Sequence, residues 1–431
     1  MIKILYSLSI ASQGVSGIPK DSRRLGKILA ESDLFNVDYL LIPRETNLFK
    51  IWQKNSIFKE ARLISSITSN ASFSAMHLQM GTLLKALISP KKRPLKRASK
   101  IHETQVQNFF WPELGPILRN ERRYFFVPNL DLRSIYLRAK LKSPFVFKSE
   151  HQVYIQQHID PIYPNKKTKF VVRIHDILPI THPQFFSPRS ISIFTIGLKS
   201  LLKNQSITWV FDTEHQRLQF NDVFGQKHKT EVIGCAIPSI ASKKHKHKKK
   251  QQFLVVNTLE PRKQTLKVIE SFLSAQVQGL IPKGYKLIIV GNRGWMQDGL
   301  FEKLSTGGFG TTVVHKAYVS EFDLLELYRS SKFIVSASLA EGFGLPPIEG
   351  ALAGCIPIVS DIDAHRETLG EFAVFFDPFL ESLASVFGRA VEQEARHSKN
   401  LSRLKLKLEA DFGEQAIEAK WRKLIEKIVS E

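Results

Sequence analysis

Between residues 253 and 360, apolar runs too short to be helices alternate with longer stretches of mixed polarity. The runs are FLVV at 253–256, KLIIV at 286–290, TVV at 312–314, FIVS at 333–336 and IPIVS at 356–360. A strand that is apolar at nearly every position has both faces covered, which points to a parallel sheet between layers of helices. The intervening stretches supply the helices, at Gln264–Ala275, Phe322–Ser330 and Pro346–Ala353. The pattern restricts the fold to α/β, doubly wound.

The first half carries the same alternation less sharply. Strands are predicted at Ile2–Ile10, Asp38–Ile42, Arg123–Pro128, Lys169–Ile174 and Thr208–Phe211, with helices at Asp21–Ser32 and Thr213–Phe224. Residues 45–125 show helical periods, around Met80–Ile88 for instance, without sharp boundaries. A chain of 431 residues is too long for one core. Its join is marked by KKHKHKKK at 243–250, which cannot fold on itself and reads as an exposed linker. The expected division is a first domain at 1–240, a basic linker at 241–252, a second domain at 253–412 and a terminal helix at 413–431. In that helix Ile417, Trp421, Leu424, Ile425 and Ile428 share one face, so it is expected to dock onto a domain.

Charge narrows the partners. Sixty-two Lys and Arg against 40 Asp and Glu leave a formal +22, a field that favours a polyanion such as a nucleic acid, an anionic membrane or a phosphorylated substrate. Nucleic-acid binding predicts aromatic residues among the basic runs, and those at 91–100 and 243–250 hold none. No nucleic acid is therefore expected. Residues 85–100 carry seven Lys or Arg behind an apolar run from Met80. Such a run suits a solvated face, and equally a peripheral contact with anionic lipid. Cys235 and Cys355, far apart, make neither a disulfide framework nor a zinc spacing. No apolar run reaches the roughly 18 residues of a membrane span. The N-terminal MIKILYSLSIASQG ends in a Gly-containing turn, as a first strand does, so a cytoplasmic protein is expected.

The chemistry concentrates in EGFGLPPIEGALAGC, residues 341–355. Pro346 and Pro347 suit the first turn of a helix, where their missing N–H groups are not needed. Gly342 and Gly344 let the backbone approach a ligand closely. Ligands of open α/β sheets bind here, beyond the carboxyl end of a strand and at a helix N-terminus. Glu341 and Glu349 stand on either side of the turn, and carboxylates accept hydrogen bonds from vicinal hydroxyls. Taken alone the segment fits a plain loop equally well, with Glu349 favoured by the helix dipole. A second oddity favours the ligand: in VNTLEPRKQTLKVIESF, residues 256–272, Arg262 and Lys263 stand at a helix N-terminus, which disfavours cations unless an anion lies between. A diphosphate is the obvious candidate.

These segments resemble the retaining glycosyltransferases of family 4. VNTLEPRKQ, IIVGNRGW and the run from HKAYVSEF to HRETLGE occur in that family's order, strongly over 253–380. The likeness extends more weakly to FVVRIHDILPITHPQFF at 170–186 and to the Gly17 loop. The resemblance implies a GT-B fold, two Rossmann-like domains facing across a cleft, the C-terminal helix crossing back to the first. It implies transfer of a sugar from a nucleotide-sugar donor to a glycan or lipid-linked acceptor in cell-surface polysaccharide synthesis (O-antigen, capsule or lipopolysaccharide), with retention and without a metal or other cofactor. It places Glu341 on the donor sugar, Glu349 on the ribose, and the amides of Gly342, Phe343, Gly344 and Leu345 along sugar and phosphate. Arg262 and Lys263 match the diphosphate clamp, His175 lies near the donor sugar, and Tyr318 and Val319 meet the base. Some positions depart from the family. Asn257-Thr258 replaces Gly-Arg, Gln264 stands where Gly or Asn is common, Pro19 and Lys20 replace a small residue and Arg, and Asp212 takes a place often held by serine. Asp361-Ile362-Asp363 imitates a metal-binding D-x-D, but follows the donor motif where the family has an ordinary loop.

Overall fold

The protein was analysed as a computed structural model that describes residues 1–9, 17–42, 92–97, 124–126, 132–142, 144–237 and 248–431. The Met80–Ile88 period, Ile10, most of the 85–100 cluster and the start of the 243–250 run lie outside the described residues. Among these residues two large parallel sheets organise the chain. The first has eight strands in the order Lys229–Val232, Ile207–Phe211, Lys169–Ile174, Val153–Gln156, Ile2–Ser7, Phe35–Leu41, Tyr124–Phe126 and Lys96–Arg97. Only the last pairs antiparallel with its neighbour. The second has six, Val313–Lys316, Lys286–Val290, Lys250–Val256, Ser331–Ser336, Ile356–Ser360 and Val374–Phe376, all parallel. A small sheet of Lys92–Pro94, Phe145–Lys148 and Ile162–Pro164 flanks the first.

Val153–Gln156, Ile207–Phe211 and Ile356–Ser360 are buried at every position, as strands covered on both faces must be. The helices between them start where side chains satisfy their free N–H groups. Thr213 accepts from the Gln216 amide, and Ser320 from that of Asp323. Lys169–Ile174, Lys286–Val290 and Ile356–Ser360 lie where the apolar runs placed them.

Two expectations need correction. The helix predicted from Asp21 begins at Gly17 and runs to Glu31, because Pro19 falls in its first turn, where proline fits. The basic run is also not all linker. Lys250 opens a strand, and the half-buried Lys249 Nζ lies 2.8 Å from Ser331 O and 3.4 Å from Ala353 O. These carbonyls end the helices Glu321–Ser330 and Leu345–Leu352, and a cation there offsets both dipoles.

The terminal helix Glu414–Ser430 buries Ile417, Trp421, Leu424, Ile425 and Ile428. They join one apolar cluster with Ile4, Leu25, Leu29 and Val37 of the first half, and with Phe343, Leu345 and Ile348 of the second. Polar contacts fix the seat: Ser32 Oγ donates to Glu418 at 2.8 Å and Lys427 pairs with Glu231 at 2.7 Å. The two halves thus share a core, and the carboxyl ends of their strands meet across it. Trp421→Ala should lower the unfolding free energy by about 3–5 kcal/mol in urea titrations. A loss under about 1 kcal/mol would mean that the helix is not held by this burial.

Candidate functional site

The loop after Ser331–Ser336 delivers the turn predicted above. Gly342 is there because nothing larger fits: a Cβ on it would sit 2.4 Å from the carbonyl of His175, on the opposite half. Gly344 has φ 81° and no side-chain cap as it opens the helix Leu345–Leu352. A Cβ there would come within 3.0 Å of the buried His365 ring. Phe343 packs edge-on against Phe412, ring centroids 5.0 Å apart. Gly17 faces Leu345, since a Cβ on it would meet Leu345 Cδ1 at 3.4 Å. The structure therefore brings Gly17, His175 and the Glu341–Leu345 turn together.

The two glutamates are each held by two cations. The Glu341 side chain is 8 % exposed. It accepts from Arg262 Nη1 at 3.0 Å, from Ser338 Oγ at 2.6 Å, and from Lys263 Nζ. Burial alone would raise its carboxyl, but Lys263 and then Arg262 hold it well below the usual carboxylate range. Glu341 thus supplies an anion to both Arg262 and Lys263. Glu349, 11 % exposed, meets Lys20 Nζ at 3.0 Å and Arg24 Nη2 at 3.3 Å, both from the first half. The Tyr328 hydroxyl donates to its other oxygen at 3.3 Å. Burial again works against the charge, and Lys20 and Arg24 reverse it. Asp176 faces the same space from the first half; burial raises its carboxyl and Arg262 opposes the rise.

Other contacts close the cleft. Glu367 accepts from the backbone amides of Glu214 at 2.6 Å and His215 at 3.1 Å, capping a first-half helix with a second-half carboxylate. Gln216 Nε2 donates to the His175 carbonyl. Of the D-x-D look-alike, Asp361 is gripped by Arg366 through both oxygens at 2.6 Å, and Asp363 faces His215 at 3.2 Å. Asp21, His175 and Cys235 bring ligand atoms within 4.8 Å of one another, but Arg173 supplies a cation there, paired with both Asp21 and Asp212. Tyr318 is exposed and bonds Asn292 at 2.7 Å rather than the turn, and Val319 packs in a separate small cluster.

Sequence reading named neither Arg24, Ser338 nor His365 as site residues. Lys20 and Arg24 are one helical turn apart, a spacing that puts both on one face, but a loop expected over Gly14–Lys20, ahead of a helix starting at Asp21, hid it. Gln264 shows why Gly or Asn is common at its place: it has φ 50°, which costs a residue with a Cβ on the order of 1 kcal/mol.

Residues 237–417 match the family model described as glycosyl transferases group 1. Over 125 residues the chain is 37 % identical to the serotype-specific mannosyltransferase WbdA of Escherichia coli, covering 29 % of this chain and 15 % of that protein. It is 24 % identical over 242 residues to the O-antigen chain mannosyltransferase RfbU of Salmonella typhimurium, covering 54 % and 62 % respectively. The match thus spans less than a fifth of WbdA and under two thirds of RfbU. Among solved structures, sucrose-phosphate synthase from Thermosynechococcus elongatus superposes over the whole of both chains with a TM-score of 0.65 at 13 % identity. Anabaena HepE in complex with UDP and glucose does so over 99 % of this chain and 100 % of that one, with a TM-score of 0.58 at 14 % identity.

The depressed Glu349 carboxyl has a sign. Its folded value lies below the ordinary 4.5, so its contribution to stability is present above that pH and is lost as pH falls through the folded value. Glu349→Gln should cost about 1–3 kcal/mol at neutral pH and flatten the fall in Tm on acidification. Equal Tm slopes for both proteins would refute the cross-cleft pairing. Gln264→Gly should raise stability by up to about 1 kcal/mol, read by thermal melting; a lower Tm would rule out strain at that position. The chain thus has the GT-B fold of glycosyltransferases, and its residues 237–417 match the glycosyl transferases group 1.

Proposed function

We propose that the protein is a retaining glycosyltransferase that moves a sugar from a nucleotide-sugar donor to a glycan or lipid-linked acceptor in O-antigen-type polysaccharide synthesis. One observation carries the reading: two buried glutamates flank a glycine turn at the mouth of a two-domain cleft, each matched by a pair of cations. The names of the curated relatives support mannose as the sugar. The reading takes a first domain at 1–240 and a second that runs to 412 and whose sheet opens at Lys250, with 413–431 closing the first domain.

In this reading the diphosphate displaces Glu341 from Arg262 and Lys263. The freed carboxylate takes hydroxyls of the sugar, and Glu349 takes those of the ribose. The amides of Gly342 to Leu345 line the phosphate, and Tyr318 and Val319 meet the base. Arg262 and Lys263 then stabilise the charge that gathers on the departing phosphate, the largest electrostatic task at such a centre. No metal is required, because these two cations do its work. The acceptor attacks the face from which the phosphate leaves, and that phosphate takes its proton. The +22 charge suits peripheral contact with an anionic membrane on its cytoplasmic face. No helix among the described residues is long and apolar enough to cross one.

Calorimetry with UDP, GDP, ADP and dTDP, each with and without chelator, tests this beside Glu349→Ala and Lys263→Ala. One nucleotide should bind in the micromolar range, indifferent to chelator, and lose about tenfold or more in each variant. No binding by any of the four would reject the donor site. Binding without any transfer would favour a degenerate, partner-binding subunit instead.

A further inference from the structure

Beneath the cleft runs a chain of buried charged groups that the donor motif does not use. Arg173 directs Nε and Nη2 at one oxygen of Asp212, at 2.9 and 2.8 Å, and its Nη1 lies 2.8 Å from Asp21 Oδ2. Asp21 Oδ1 in turn accepts the Ala236 amide at 3.0 Å, tying the chain to the segment that leaves the first sheet. The other Asp212 oxygen accepts from the Cys235 thiol at 3.4 Å and faces His175 Nδ1 at 2.8 Å. The side chains of Arg173, Asp21 and Asp212 are at most 1 % exposed.

Two carboxylates against one guanidinium leave a negative charge over among fully buried side chains. Such a surplus is costly unless further hydrogen bonds hold it, and it is directed at His175. Asp212 stays ionised: burial opposes this, but Arg173, with the hydrogen bond from His175, lowers its carboxyl below the usual range. An ionised carboxylate only accepts, so the proton of this bond sits on His175 Nδ1. In the neutral ring Nε2 then carries a lone pair. That atom is buried and has no hydrogen-bond partner among the described residues. The backbone of the same residue touches the glycine turn, whose Gly342 has no room for a Cβ beside the His175 carbonyl.

We propose that Asp212, backed by Arg173 and Asp21, is a positioning residue that holds His175 as its Nδ1–H tautomer, so that Nε2 accepts a hydrogen bond from a hydroxyl of the transferred sugar. This rests on reading the cleft as a nucleotide-sugar site. A serine at this place would neither match the Arg173 charge nor oblige Nδ1 to be the donor. A network kept for stability alone would fix the same tautomer, so the two roles differ only in whether the affinity for a nucleotide sugar, beyond that for its free nucleotide, depends on it.

The full chain is labelled with 15N-histidine, and the two ring nitrogens of His175 are assigned by comparison with His175→Gln. Calorimetry then compares GDP with GDP-mannose and UDP with UDP-glucose, in the wild type and in Asp212→Asn. The asparagine amide can donate to Nδ1 and so release the tautomer. The wild type should show the Nδ1–H form. Asp212→Asn should lose that form and weaken the nucleotide sugar about tenfold, while the matching free nucleotide binds as before. An Nε2–H ring in the wild type overturns the proposal without any variant. So does an Asp212→Asn protein that keeps nucleotide-sugar affinity, or one that loses free nucleotide and nucleotide sugar alike. If the wild type binds none of the four ligands, the glycosyltransferase reading falls and the sugar contact with it, while the ring spectrum still reports whether Asp212 sets the tautomer.

Discussion

Keeping Glu341 and Glu349 charged while they are almost wholly buried is the constraint on which the rest of this structure depends. Removing a carboxylate from water costs several kcal/mol unless well-placed donors replace the lost hydration. Glu341 finds its donors within its own half, in Arg262, Lys263 and Ser338. Glu349 does not. Two of its three partners, Lys20 and Arg24, come from the other half of the chain. The charge on the second glutamate is therefore compensated only when the two sheets face each other.

The apolar contacts point the same way. Phe343 of the glycine turn packs on Phe412, which precedes the last helix, and Ile237 donates its amide to the Phe412 carbonyl at 3.0 Å. A Cβ on Gly234 would stand 2.6 Å from the same ring. The turn, the chain leaving the first sheet and the crossing of the last two helices are thus one packed unit. Any displacement of the turn would be felt there, because close-packed interiors transmit strain rather than absorb it. The Glu367 cap on the first-half helix adds a polar contact at the same boundary.

Much of the fold was legible because its signals are local. Strands buried on both faces are written as unbroken apolar runs, and Lys169–Ile174, Lys286–Val290 and Ile356–Ser360 followed from them. The last helix was legible from the spacing of five apolar residues. Boundaries that depend on the far side of the molecule were not. Nothing local says that Gly17–Lys20 is the start of a helix whose next turn, through Arg24, faces Glu349. Nor does KKHKHKKK by itself show that Lys249 turns inward to meet the carbonyl ends of two helices, since its neighbours are 82 and 104 residues away in the chain.

The candidate site divides in the same manner. By itself the sequence determined that a turn of two glycines and two prolines lies between two glutamates after a buried strand, and that Arg262 and Lys263 stand just ahead of a helix, which the structure starts at Thr265 after a short 3-10 turn. Those features are set by backbone conformation and spacing within a few residues. Only the tertiary structure decided what pairs with what: that Arg262 and Lys263 pair with Glu341, that Lys20 and Arg24 answer Glu349, and that Asp212 faces His175. Ionic pairing is set by distances of a few ångströms between groups that can be hundreds of residues apart, so it takes shape only when the two sheets are brought together.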